Sequence, residues 1–207
     1  MISGRAAFFG GSAVAIIFAG YITLKIAAYF LSASHDVHET FVSVEVEHDA
    51  YDRRRFGTWI DVDGDCLDTR NEILLLTSST EVRLGNSGCR VKFGVWFDAY
   101  SGSTMTDAAK IDIDHVVSLN FAWRAGASRW SDAERSTFAN DPENLILTSY
   151  AINRSKGSLF PSEWLPPNKD FRCAFVQRFL MISERYKLNA SKQIQDQTNE
   201  LRNKLCQ

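Results

Sequence analysis

From Ala6 to Leu24 the chain carries no charged residue: AAFFGGSAVAIIFAGYITL, followed after Lys25 by IAAYFL up to Leu31. An apolar run of about 20 residues is long enough to cross a bilayer as a helix, and it has no polar face with which to join a soluble core. Arg5 precedes the run, and Asp36 and Glu39 follow it. The positive-inside rule therefore leaves the N-terminus in the cytoplasm and exports everything after it. The run exceeds the roughly 7–15 apolar residues of a cleaved signal peptide, although Ser32, Ala33 and Ser34 offer a cleavage site. Residues 1–34 are read as an uncleaved signal anchor, with a signal peptide as the alternative. Residues 35–50 are a juxtamembrane linker in which FVSVEVEHD alternates like a strand, and residues 51–207 are one exported domain. The expected location is extracytoplasmic, tethered to the membrane or secreted after cleavage.

Cysteine usage agrees with export. The four cysteines, Cys66, Cys89, Cys173 and Cys206, form no CxxC pair, and in the folded part only His115 could join them on zinc. In an oxidising compartment an even count suggests two disulfides, with four free thiols as the alternative. Pairing neighbours along the chain gives Cys66–Cys89 and Cys173–Cys206. The formal net charge of -2 supplies no overall basic field, so any attraction to nucleic acid must be local.

Along the exported part, Thr69 and Glu72 have capping-box spacing ahead of EILLL, which points to a short helix after Asp68. Val82–Leu84 and Cys89–Phe97 read as strands split by the turn signal Gly85-Asn-Ser-Gly88, and Tyr100-Ser-Gly102 is a second turn. Ile111–Leu119 is rich in β-branched residues and reads as a strand, and residues 120–140 read as helical, with Ser131 capping a start at Asp132. Leu145–Thr148 is a short apolar strand. The helix after it, capped by Thr148 or Ser149, carries Asn153 and Lys156 and stops near Gly157. Phe171–Tyr186 and Ser191–Leu205 are two amphipathic helices. The five tryptophans are expected mainly in the core, with at most one on substrate.

Two constellations carry chemistry. The first is Asp112-Ile-Asp114-His115, then Asn144, then Asn153-Arg154-Ser155-Lys156. His115 is the only histidine beyond residue 48, and a neutral imidazole near pKa 6.5 suits removal of a proton from water attacking phosphorus. Asp114 falls on the opposite strand face from His115, and Asp112 shares the face of Asp114. Lys156, three residues after Asn153, shares its helix face and can meet phosphate or the charged transition state. The second constellation is an acidic loop. Asp61, Asp63, Asp65 and Glu72 occupy positions 1, 3, 5 and 12 of an EF-hand-like loop, a candidate second metal or structural Ca²⁺ site. Position 6, where that loop needs glycine for a sharp turn, is Cys66. Arg70 beside it is a candidate phosphate contact, since guanidinium fits phosphate bidentately. Arg154 is a second candidate substrate contact.

The segments YDRRRFGTWIDVDGDCLDTRNEIL, GVWFDAYSG, DIDHVVSLNFAWRAGASRW, FANDPENL, NRSKG and PSEWLPP, in that order, resemble a family of exported bacterial HNH nucleases. That family is related to the nuclease domain of enzymes that restrict modified DNA. The resemblance runs from about Tyr51 to the end. It implies an α+β fold, a ββα-metal core with additional helices, preceded here by the N-terminal helix. It implies Asp114 and Asn153 as ligands of one divalent metal, Mg²⁺ or Mn²⁺. It also implies that Asn144 orients the histidine. Ser118 stands where the family usually has proline. The expected function is a metal-dependent endonuclease acting on DNA, with RNA as a further substrate, at low sequence specificity because no base-reading module is present. The membrane is engaged through the N-terminal helix, and no obligate protein partner is implied. Two other readings stand: a non-enzymatic, disulfide-stapled envelope module binding calcium or nucleic acid, and an antibacterial toxin.

Overall fold

The computed structural model describes residues 50–207. The anchor or signal segment, the strand expected over FVSVEVEHD and all of the linker before residue 50 lie outside the described residues. Among the described residues no helix is long and apolar enough to cross a membrane.

The architecture mixes small antiparallel sheets with helices. A turn of 3-10 helix at Arg53–Phe56 leads through the acidic loop into α1 (Thr69–Thr77). Three antiparallel strands follow in spatial order: β1 (Arg83–Leu84), β2 (Val91–Asp98) and β3 (Ser103–Asp107). Next come β4 (Ile111–His115), α2 (Leu119–Arg124), α3 (Asp132–Ala139), β5 (Leu145–Ser149) and α4 (Tyr150–Lys156). Two long helices, α5 (Arg172–Arg185) and α6 (Lys192–Leu205), complete the chain.

Several local expectations need correction. Asp68, not Thr69, caps α1, its side chain accepting the Asn71 N–H at 3.0 Å. The strand expected over Ile111–Leu119 ends at His115, because Ser118 caps α2 by accepting the Phe121 N–H. Ser118 therefore has a structural role as a helix cap. The helical stretch 120–140 is two helices, broken where Gly126 takes φ 129°. Ser131 starts the second of them through a full capping box with Glu134. Strand β3 was not expected; STMTD has no apolar alternation, and its pairing with β2 supplies the order.

The β4–β5 ribbon separates two apolar clusters. Ile111, Ile113, Leu145 and Leu147 pack with Ile73, Leu74, Val91 and Trp96. Ile146, from the opposite face, joins the larger cluster built on Phe56, Tyr100, Trp123, Phe138 and the inner face of α5. Period-two alternation in a ribbon buried on both faces leaves polar positions only where function or pairing holds them. Both expected disulfides are present, Cys66–Cys89 and Cys173–Cys206, and no described cysteine is free.

Candidate active site

β4 and β5 pair in register from Ile111↔Ser149 to His115↔Leu145, and α4 leaves directly from the end of β5. Ser149 caps α4 through the Ile152 N–H, and Gly157 closes it at φ 52°. The strand–strand–helix unit brings Asp112, Asp114 and His115 from one strand beside Asn153 and Lys156 from the helix. A cleft of about 520 Å³ opens over it. Asp112, Asp114, His115 and Asn153 line this cleft, with Arg53, Trp59 and Arg70 at its rim.

His115 is 8% exposed, and its Nε2 lies 2.8 Å from the Ala139 carbonyl oxygen. A carbonyl can only accept, so Nε2 carries the proton and Nδ1 is the basic nitrogen. Trp59 stacks on the ring at 5.6 Å between centroids and 8° between planes. Burial pushes the His115 pKa down to about 3, aided by Arg53 and Lys156 and opposed by the Ala139 hydrogen bond. Burial thus favours the neutral imidazole, with Nδ1 unprotonated.

Asp114 lies in the cleft floor and is only 5% exposed. Lys156 Nζ lies 3.1 Å from Oδ1 and 3.0 Å from Oδ2, and the Tyr100 hydroxyl donates to Oδ2 at 2.9 Å. Burial raises the Asp114 carboxyl above its usual range, with the Lys156 charge as the chief opposing influence. Lys156 also donates to the His115 carbonyl at 2.8 Å and is fully buried. Lys156 is absent from the cleft lining: its ammonium faces inward and bonds to Asp114 and the β4 backbone. Asp112 is half-buried and accepts from Asn153 Nδ2 at 3.2 Å, so of the two aspartates it is the more open.

Asn144 braces the chain just after β4. Its Oδ1 accepts the Val117 N–H at 2.8 Å, and its Nδ2 donates to the Val117 carbonyl at 3.1 Å. It clamps the chain two residues after His115. Arg70 lines the cleft, but its NH2 group donates to the Ala108 and Ile111 carbonyls at 3.0 and 2.8 Å, bracing the entry to β4. Arg154 does not line the cleft; it is exposed, with its guanidinium 4.7 Å from the Tyr150 ring centroid.

In the acidic loop, the carboxylates of Asp61, Asp63 and Asp65 converge with their ligand atoms within 4.8 Å of one another. Glu72, the fourth residue expected at this site, is not part of that group; burial first, and then the charges of Asp65, Asp63 and Asp61, raise its carboxyl pKa. Cys66 takes φ 75°, so the left-handed turn that seemed to need glycine is made by a disulfide-bonded cysteine.

Sequence reasoning missed Tyr100, Trp59 and Arg53. Tyr100 and Trp59 lie inside the long segments GVWFDAYSG and RRRFGTWIDVD, whose length was the available signal. No periodicity marks either side chain as reaching the site.

A family model for the C-terminal domain of GmrSD restriction endonucleases matches residues 68–204. A curated relative, an uncharacterized secreted protein of Arthroderma benhamiae (strain ATCC MYA-4681 / CBS 112371), is 37% identical over 145 residues, 69% of this chain and 70% of that protein. That relative is fungal, so it lends no support to the bacterial source expected from the sequence, whereas its description as secreted agrees with export. No solved structure matches.

Proposed function

The chain belongs to the family of the C-terminal domain of GmrSD restriction endonucleases, and from that premise we propose that it is an exported, metal-dependent HNH-type endonuclease that hydrolyses phosphodiester bonds in DNA, and in RNA as a second substrate, with little sequence preference. The observation that carries this reading is the placement of His115: clamped through Nε2, stacked on Trp59 and lining a cleft together with Asp112, Asp114 and Asn153.

In this reading His115 Nδ1 takes the proton from the attacking water. The Ala139 carbonyl holds the ring in the tautomer this needs. The donor set of Asp112, Asp114 and the Asn153 amide is all oxygen, which suits a hard cation such as Mg²⁺ or Mn²⁺. Asp114 and Asn153 would hold it, with Asp112 beside them. When bound, such an ion supplies charge neutralisation at the leaving 3′ oxygen. Lys156 and Tyr100 fix the orientation of Asp114, and Arg53 at the rim offers a charge to the phosphate.

Supercoiled plasmid incubated with the oxidised protein in Mg²⁺ or Mn²⁺, beside EDTA and His115→Ala, tests the reading. Nicking that requires metal and disappears with EDTA or the substitution is the expected result. Folded protein that leaves plasmid, single-stranded DNA and RNA intact in every metal would favour the non-enzymatic envelope module instead.

A further inference from the structure

The hairpin of β1 and β2 carries a second concavity, of about 1000 Å³. Arg83, Arg90, Lys92 and Phe93 line it, and no carboxylate does. For a chain of formal net charge -2, a surface of one sign is a local departure. All four side chains are exposed. Phe93 is 44% exposed, and the Arg83 guanidinium lies 4.4 Å from its ring centroid. An apolar side chain flanked by cations can pack against the sugars of a nucleic-acid backbone while the charges neutralise phosphates.

The concavity adjoins the cleft through α1. The Val91 N–H, at the start of β2, donates to Asn71 Oδ1 at 2.9 Å. The neighbouring Arg70 lines the cleft, close enough to feel attraction from Asp112 in that cleft and repulsion from Arg90 on the hairpin. The Cys66–Cys89 disulfide ties the hairpin turn to the loop before α1, so the groove is formed before any ligand arrives.

We propose that this hairpin groove extends the nucleic-acid-binding surface away from the cleft, with Arg83, Arg90 and Lys92 neutralising the phosphates that flank the scissile bond and Phe93 supplying the apolar rest. The proposal depends on the nuclease reading of the cleft for its direction, and its contacts are to the backbone, so it adds affinity and a length requirement rather than a recognition sequence. Duplexes long enough to span cleft and groove bind more tightly than duplexes that fill the cleft alone.

Binding is measured apart from cleavage, with the full, oxidised chain carrying His115→Ala and labelled duplex DNA of about 30 and about 8 base pairs across a salt series. The groove variant adds Arg83→Ala, Arg90→Ala and Lys92→Ala, and Phe93→Ala is made separately. All of these positions are exposed, and thermal melting checks that the fold is retained. With three cations removed, the slope of log affinity against log salt becomes shallower by roughly 2–3. Affinity for the long duplex falls at least about tenfold near 0.1 M salt, and the short duplex is unaffected. Phe93→Ala weakens the long duplex with no change in slope. An unchanged slope and affinity in the triple variant, or no binding of long duplex before the groove is altered, overturns the proposal. The two readings separate cleanly. Groove-dependent binding by a chain that cuts nothing keeps the groove and removes the nuclease, whereas metal-dependent cutting with a groove-independent slope does the reverse.

Discussion

At the scale of single residues, His115 and Asp114 sit next to each other in sequence and in opposite environments. His115 is oriented by Trp59 and the Ala139 carbonyl; Asp114 is caged by Lys156 and Tyr100. Replacing Lys156 with methionine leaves a buried carboxylate without its counter-ion, and the expected loss is about 3–5 kcal/mol in urea unfolding with EDTA present. A Lys156→Met protein that keeps its unfolding midpoint but loses cleavage would return Lys156 to the phosphate. Tyr100→Phe removes one hydrogen bond to the same carboxylate, and a smaller loss, about 1–3 kcal/mol, is expected in the same unfolding assay. His115→Ala lowers turnover on plasmid by about 10²–10⁴-fold, the usual worth of a positioned general base. The opposite facing of Asp114 and His115 was legible from period two alone. The contacts made by Tyr100 and Trp59 were not, because each reaches the site from a segment that contributes nothing to the motif.

At the scale of elements, the β4–β5–α4 unit was readable from short-range signals: β-branched and apolar runs, a capping serine and a closing glycine. The insertion between the strands was less so. A continuous helical reading over 120–140 failed at Gly126, and β3 was invisible because its order comes from pairing with β2. Asn144 is the residue by which the insertion returns to the site, through its clamp on Val117. With Asn144→Ala, two buried backbone groups of Val117 lose their partners. Cleavage is expected to fall at least about tenfold and stability by about 1–3 kcal/mol, read from turnover and from the urea midpoint of the same preparation. Retained turnover with lowered stability would limit Asn144 to folding and remove it from histidine positioning.

At the scale of the molecule, two disulfides close loops with sequence separations of 23 and 33 residues, one tying the acidic loop to the β1–β2 hairpin and one tying α6 to α5. Each is expected to contribute about 3 kcal/mol by restricting the unfolded chain. Cys173→Ser with Cys206→Ser should lower the melting temperature while leaving plasmid cleavage intact, since α5 and α6 lie outside the cleft. A melting temperature indifferent to that pair, or to reductant on the parent chain, would contradict the expectation. The pairing itself followed from sequence neighbours and an expected oxidising compartment, and the described fold bears it out.

What the sequence determined by itself was the order of strand, strand and helix, the cysteine pairs and the gathering of Asp61, Asp63 and Asp65 on one short loop. Each of these depends on residues close together along the chain or on an element's own repeat, and such information survives in one dimension. Only the tertiary structure decided which polar groups face the cleft. Asp114 and Lys156 are 42 residues apart and meet because β5 and α4 fold back on β4. Once paired beneath the surface, a lysine that spacing alone sends to the phosphate is instead held on a carboxylate, because an ammonium buried without its counter-ion would cost far more than the exposed contact could return.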